Sequence, residues 1–218
     1  MPFDLVIFDC DGVLIDSELL SMQADVECLA EYGIAMSAEE ILERYTGTSG
    51  MVADLEARYG RTFPGFDERH LQLVDPLFEA GLQAIPDVAI AVDALVCKAC
   101  VASSSSPERL RHALSLVGLY DRFQPHIFSA TMVVRGKPAP DLFLYAAQGM
   151  GVGPQRCVVV EDSLPGVAAA VAAGMTAIGF IGGSHCRPGH DVRLTAAGAA
   201  LVIKRMAQLM PALASRSR

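Results

Sequence analysis

The chain has 218 residues, of which 52% are hydrophobic and 19% are charged. This composition is typical of a folded globular protein and excludes a disordered chain. The net charge of −8 and the pI near 5.0 exclude broad binding to nucleic acid or to anionic membranes, because both need a positive field.

The sequence also predicts where the protein resides. No basic segment precedes the first apolar stretch, and no run of about 20 apolar residues occurs. The six cysteines lack the dense spacing of small secreted scaffolds, which indicates reduced thiols. We therefore expect a soluble cytoplasmic protein that acts as a monomer or weak dimer.

Short apolar runs that recur along the chain predict buried parallel strands. The first run is Leu5–Phe8, and the later ones are Ala99–Ser103, Ile127–Ser129, Cys157–Val160, Thr176–Ile181 and Ala200–Ile203. Helical patterns separate them at Pro107–Val117, Pro140–Met150 and Ser163–Ala173. This alternation predicts an α/β fold, a Rossmann-like doubly wound parallel sheet formed by residues 1–15 and 84–218.

Residues 16–83 interrupt the alternation. Every periodic segment in this range is helical, and the segments are Glu18–Tyr32, Ala38–Tyr45, Met51–Tyr59 and Asp67–Ala80. We expect a second, smaller all-helical domain after the first strand. A ligand would bind in the cleft between the two domains, because open α/β sheets bind at the carboxyl ends of their strands.

Acidic side chains follow two of the predicted strands. Asp9 and Asp11 follow the first strand, and Glu161 and Asp162 follow the run Cys157–Val160. A solvated turn is the alternative for Asp9 and Asp11 alone. In a parallel sheet, however, both pairs emerge at the same edge, where several carboxylates without a histidine or cysteine cluster suit Mg²⁺.

Two further sequences point to phosphate binding. Ser103 and Ser104 begin a serine run between a predicted strand and a helix, where hydroxyl and N–H groups can bind phosphate. The alternative is a flexible loop that caps the helix. Lys137 stands before a proline, which can fix the backbone and aim the ammonium inward; a solvated surface lysine is its alternative.

These four motifs together resemble the haloacid dehalogenase superfamily. In that family an Asp-x-Asp-Gly motif after a strand, here Asp9-Cys10-Asp11-Gly12, is followed by Ser103, Lys137 and an acidic pair, here Glu161-Asp162. The order and spacing of the four motifs are similar to those of the family, and the resemblance covers essentially the whole chain. The resemblance is greatest to members with a helical cap, such as β-phosphoglucomutase and 6-phosphogluconate phosphatase.

The resemblance implies a role for each matching residue. Asp9 would be the nucleophile that forms an aspartyl-phosphate, and Asp11 would protonate the leaving alkoxide and then activate water. Ser103, Ser104 and Lys137 would bind the phosphoryl oxygens.

The resemblance also implies a Mg²⁺ site. Asp9 and Asp162 would be ligands, Asp11 would contribute its backbone carbonyl, and Glu161 would bind directly or through water. The substrate would be a small phosphorylated metabolite.

Phosphatase and mutase members differ in the cap. A mutase must hold a second phosphate, and its cap pattern Lys-Gly-x-Ser-Arg supplies an arginine for this purpose. The corresponding stretch here is Tyr45-Thr46-Gly47-Thr48-Ser49-Gly50, which lacks that arginine. The mutase pattern also has a histidine at Ser21 and a lysine at Ser106. We therefore favour a phosphatase acting on a sugar or sugar-acid phosphate, with the residues at 46–49 setting specificity. The alternatives are a β-phosphoglucomutase-type isomerase and a non-catalytic binding relic.

Residues 182–190 contain two histidines and a cysteine, His185, Cys186 and His190. A soft-metal site would need a fourth ligand, and none is evident from the sequence. We therefore expect a surface loop near the carboxyl edge of the sheet.

Overall fold

The computed structural model describes residues 3–45 and 50–215. Six parallel strands form one sheet in the order β3-β2-β1-β4-β5-β6. The strands are β1 (Leu5–Phe8), β2 (Lys98–Ser103), β3 (Ile127–Ser129), β4 (Cys157–Glu161), β5 (Thr176–Phe180) and β6 (Leu201–Ile203). The predicted parallel sheet is confirmed, and no strand end differs from its prediction by more than one residue.

The described part of the chain also contains eleven α-helices. They are α1 (Glu18–Glu31), α2 (Ala38–Tyr45), α3 (Met51–Tyr59), α4 (Phe66–Gly81), α5 (Val88–Asp93), α6 (Pro107–Leu116), α7 (Tyr120–Phe123), α8 (Asp141–Met150), α9 (Leu164–Ala172), α10 (His190–Ala196) and α11 (Leu209–Ser215). Three 3₁₀ turns occur at Ala130–Met132, Pro154–Arg156 and Met206–Gln208. Within the described ranges, no helix has both the length and the apolar character to cross a bilayer.

Strand β1 lies in the middle of the sheet and is buried on both faces. Val6 and Phe8 pack into one apolar layer, whereas Leu5 and Ile7 pack into the opposite one, because successive side chains of a strand alternate in direction. Helices therefore cover both faces. Since β2 and β4 flank β1 in parallel, the residues that follow these three strands emerge side by side.

The four helices α1–α4 lie between β1 and β2 and contain a buried apolar cluster, which includes Leu29, Leu55 and Phe66. The two chain segments that connect them to the sheet are adjacent. Asp16 N donates to Gln83 O at 2.9 Å, and Ile85 N donates to Leu14 O at 2.9 Å. Both connections leave from the carboxyl edge of the sheet, so the helices are held over that edge.

The loop at 182–190 differs from its prediction. His185 is only 1% exposed, so the expectation of a surface loop is wrong at this residue. His185 is buried because of its charge interaction and its packing. The His185 imidazole packs against the buried Asp162 carboxylate, with Nε2 3.0 Å from Oδ2.

Candidate active site

Asp9 and Lys137 form a buried ion pair at the carboxyl end of β1. Asp9 is tied to the neighbouring strand β4, because its backbone N donates to Val160 O at 3.0 Å. Lys137 Nζ lies 2.9 Å from Asp9 Oδ1. The pKa of the Asp9 carboxyl is raised well above its ordinary value, mainly because the carboxyl is buried. Lys137 opposes this rise, whereas the negative charges of Glu161 and Asp162 add to it. The surface-lysine alternative for Lys137 is therefore wrong.

Glu161 orients Lys137. Lys137 Nζ donates to Glu161 Oε1 at 2.6 Å, while the N and Oγ of Ser163 donate to Oε2 at 2.7 and 2.9 Å. Burial lowers the pKa of Lys137, but Asp9 and Glu161 outweigh burial and raise it. The ammonium is therefore charged beside Asp9. Gly166 makes room for this arrangement, because a Cβ there would lie 1.8 Å from Glu161 Oε1.

Asp11 points to a different part of the site from Asp9. Its Oδ1 accepts a hydrogen bond from Ser17 Oγ at 2.6 Å, and its Oδ2 accepts one from Ser105 Oγ at 2.8 Å. The two donors come from the start of α1 and from the serine run after β2. They hold the carboxylate at the junction between the helical insert and the sheet.

Three carboxylates form a cluster that suits a metal ion. One oxygen each of Asp9, Glu161 and Asp162 lies within 4.8 Å of the others, and all three residues are buried. Such a set of hard oxygen atoms fits Mg²⁺. Gly12 permits this close packing, because a Cβ there would lie 1.9 Å from Asp162 Oδ2. Its φ of +73° is also one that glycine adopts without strain.

Asp162 has its own cationic neighbour. Burial raises the pKa of Asp162, whereas the adjacent His185 lowers it. Burial alone would lower the pKa of His185, but the contacts with Asp162 and Cys186 raise it to about 11. The site thus brings three buried acids together with two cations, Lys137 and His185.

The serine run lies where the sequence predicts, directly after β2. Ser103 is 1% exposed, and its Oγ accepts a hydrogen bond from Ser105 N at 3.1 Å. Ser106 caps α6, because its Oγ accepts from Arg109 N at 3.3 Å. The serines Ser103, Ser104 and Ser105 line the cavity beside Asp9.

This cavity has a volume of about 240 Å³ and lies between the helical insert and the sheet. The insert contributes acidic side chains, including Glu18 and Asp25 of α1 and Asp67 of α4. Arg109 of α6 is the one lysine or arginine that lines it within the described ranges. Its Nη2 donates to Ser21 Oγ at 2.6 Å, and its guanidinium lies 5.0 Å from the Phe78 ring.

Sequence reasoning missed several of these residues. The sequence gives a weak indication for Arg109, because it is a cation in the first turn of the helix that follows the serine run. Ser17 and Ser105 have no sequence signal beyond their proximity to the motifs, and the sequence predicts a surface loop for His185. The predicted specificity residues Thr46, Gly47, Thr48 and Ser49 lie outside the described residues.

Comparisons with known proteins agree with this geometry. The model of the haloacid dehalogenase-like hydrolase family matches residues 3–174. The chain is 29% identical over 189 residues to 6-phosphogluconate phosphatase of Escherichia coli (strain K12), covering 85% of this chain and 86% of that protein.

Solved structures show the same similarity. A haloacid dehalogenase-like protein of unknown function from Agrobacterium tumefaciens is 42% identical, with a TM-score of 0.84, covering 99% of this chain and 100% of that one. A candidate β-phosphoglucomutase from Thermotoga maritima is 25% identical, with a TM-score of 0.73. The match covers 98% of this chain and 100% of that one. The chain belongs to the haloacid dehalogenase-like hydrolase family.

Proposed function

We propose that this protein is a Mg²⁺-dependent phosphomonoesterase that acts on a small phosphorylated sugar or sugar acid through an aspartyl-phosphate on Asp9. One observation supports this most: Asp9 is buried against Lys137 and faces a cavity that Ser103 and Asp11 also line. A carboxylate nucleophile, a phosphate-binding hydroxyl and an acid–base carboxyl therefore share one cavity. Phosphoryl transfer depends mainly on such positioning and charge neutralisation.

In the first step, a carboxylate oxygen of Asp9 attacks phosphorus and the bond from phosphorus to the substrate oxygen breaks. Asp11, held by Ser17 and Ser105, gives its proton to the leaving alkoxide. Asp11 then takes a proton from water, whose oxygen attacks the acyl-phosphate. Inorganic phosphate leaves and the Asp9 carboxylate is restored.

Mg²⁺ would neutralise charge on the phosphoryl oxygens. Asp9 and Asp162 would hold it together with the Asp11 carbonyl, and Glu161 would bind directly or through water. The cluster of buried carboxylate oxygens supports this ligand set. Ser103, Ser104 and the Lys137 ammonium would bind the phosphoryl group.

The cavity supports a polyhydroxylated substrate. The carboxylates of Glu18, Asp25 and Asp67 can accept hydrogen bonds from sugar hydroxyls, and Arg109 can bind a carboxylate or an oxygen-rich group. We propose that the helical insert, residues 16–83, is the cap domain that closes over this substrate. The similarity to 6-phosphogluconate phosphatase also favours a sugar acid.

Asp9→Asn tests the nucleophile, with the exposed Asp93→Asn as the matched control. Hydrolysis of para-nitrophenyl phosphate should fall by at least about 10³-fold in the first variant and stay unchanged in the second. Hydroxylamine should trap an acyl-phosphate in the wild type and in Asp93→Asn but not in Asp9→Asn, and a chelator of divalent cations should abolish the activity of the wild type. Turnover retained by Asp9→Asn, or full activity without divalent metal, would refute the proposal.

A β-phosphoglucomutase-type isomerase is the second candidate, supported by the similarity to the Thermotoga maritima structure. Against it, Ser21 binds Arg109 and Ser106 caps α6, at positions where the mutase pattern has cations. Incubation with β-glucose 1-phosphate separates the two functions, because a phosphatase releases phosphate and a mutase forms glucose 6-phosphate. A non-catalytic relic would do neither and would fail to bind beryllium fluoride with Mg²⁺.

A further inference from the structure

The loop after β5 folds back onto Asp162 and contacts it at two points. His185 Nε2 lies 3.0 Å from Asp162 Oδ2, and these side chains are 1% and 2% exposed. His190 Nε2 donates to the backbone oxygen of Asp162 at 2.6 Å. The loop and the first residue of α10 therefore hold both the side chain and the backbone of a residue in the carboxylate cluster.

The His185 ring occupies a slot between two glycines. A Cβ on Gly12 would lie 2.8 Å from His185 Cε1, and a Cβ on Gly183 would lie 2.8 Å from both Cε1 and Nδ1. Gly183 does not have a positive φ, so its conformation does not call for glycine. The space that the imidazole occupies accounts for the absence of a side chain there.

Ser184 anchors the loop to the chain that follows the nucleophile. Its N and Oγ both lie 2.9 Å from Asp16 Oδ1 and donate to it. His185 is thus held by its neighbour in sequence as well as by packing. The anchor couples the position of His185 to the segment that carries Asp9 and Asp11.

We propose that His185 is a positioning residue, which holds the Asp162 carboxylate by its Oδ2 so that Oδ1 is presented to a divalent cation. This inference rests on the metal-dependent function proposed above. Asp162 lies among Asp9 and Glu161, and their negative charges would otherwise turn its carboxylate away. A neighbour that orients a ligand typically contributes about 10–100-fold to metal affinity.

Mn²⁺ binding without substrate, followed by electron paramagnetic resonance, tests this role. We expect His185→Leu to weaken Mn²⁺ binding about 10–100-fold. His185→Gln should restore most of the loss, because its amide nitrogen can reach the position of Nε2. His185→Asn is too short and should behave like the leucine variant. The half-exposed His112→Asn is the control and should bind like the wild type.

The phosphatase assay adds a second readout. In His185→Leu the Mn²⁺ concentration for half-maximal rate should rise, while KM for substrate at saturating metal stays within about twofold. A general structural defect would raise both the Mn²⁺ concentration for half-maximal rate and the KM for substrate. If His185→Leu does not fold, the comparison of Mn²⁺ binding by His185→Gln and His185→Asn tests the positioning role.

Two results would overturn the proposal: binding by His185→Leu within twofold of the wild type, or equal binding by the glutamine and asparagine variants. A wild type that binds no Mn²⁺ would instead refute the proposed metal-dependent function. Failure of the inference and failure of the function are therefore distinct outcomes.

Discussion

Lys137 Nζ lies 2.9 Å from Asp9 Oδ1, and the two side chains are 0% and 6% exposed. Two further buried acids, Glu161 and Asp162, belong to the same cluster, and His185 is the second cation beside it. Three buried acids facing two cations leave an excess of negative charge. A bound divalent cation would relieve this excess, which is the physical basis of the proposed metal site.

Lys137→Met should both destabilise and inactivate the protein. It leaves Asp9 and Glu161 buried without their shared cation, which should lower the free energy of unfolding by about 3 kcal/mol. Urea unfolding in the presence of chelator measures this loss. Lys98→Met is the control, because Lys98 is exposed and donates a hydrogen bond to Met150 O, and this change should lower the free energy of unfolding by about 1 kcal/mol. Equal losses in the two variants would contradict the role of Lys137.

Gly166→Ala and Gly81→Ala should have opposite effects on stability, although both glycines lie in helices. At Gly166 a Cβ would collide with Glu161 at 1.8 Å, so we expect a loss of about 2 kcal/mol or more and reduced activity. At Gly81 an added Cβ would meet no atom of the described residues within 4 Å beyond its chain neighbours and its own helix backbone, so alanine should be neutral or gain up to about 1 kcal/mol. Thermal unfolding distinguishes these outcomes, and a neutral Gly166→Ala would show that Glu161 can move.

Arg109→Met should impair the natural substrate more than a small one. Loss of a charged hydrogen-bond donor should reduce the free energy of substrate binding by about 1.5–3 kcal/mol. This corresponds to roughly a 10–100-fold rise in KM for the sugar phosphate that the wild type hydrolyses most efficiently. Para-nitrophenyl phosphate should be affected less than about threefold, since it has no sugar hydroxyl or carboxylate for Arg109 to bind. The exposed Arg122→Met is the control. Equal effects on both substrates would mean that Arg109 acts on the phosphoryl group itself.

Glu18→Gln should change how stability depends on pH in the metal-free protein. Burial, then Asp11 and Asp162, raise the pKa of Glu18 from 4.5 to about 8. Between these values the native state keeps a proton that the unfolded state has lost, so the stabilising contribution present below pH 4.5 disappears as the pH rises towards 8.

The wild type should therefore lose up to about 3 kcal/mol of stability from Glu18 between pH 5 and pH 8. Glu18→Gln should lack this part of the slope, while Asp9, Asp162 and His185, whose pKa values are also raised, maintain the rest. Urea unfolding in chelator at a series of pH values measures the two slopes. Identical slopes would contradict the raised pKa of Glu18.

The order of strands and helices, and the residues that follow the central strands, can be predicted from the amino-acid sequence. Short runs rich in β-branched residues, such as Cys157–Val160, favour buried strands when helical patterns flank them, and parallel strands bring their carboxyl ends to one edge. This rule alone predicted that Asp9, Ser103 and Asp162 would meet. It works because it depends on strand direction and not on side-chain detail.

The side chains that complete the site depend on contacts between segments that are distant in the sequence. Arg109 reaches Ser21 across 88 positions of sequence, and Ser105 reaches Asp11 across 94. His185 enters the site because the loop after β5 folds back and places its imidazole between Gly12 and Gly183. Local periodicity contains no information about such contacts, since they depend on the path of loops and on the packing of the insert against the sheet.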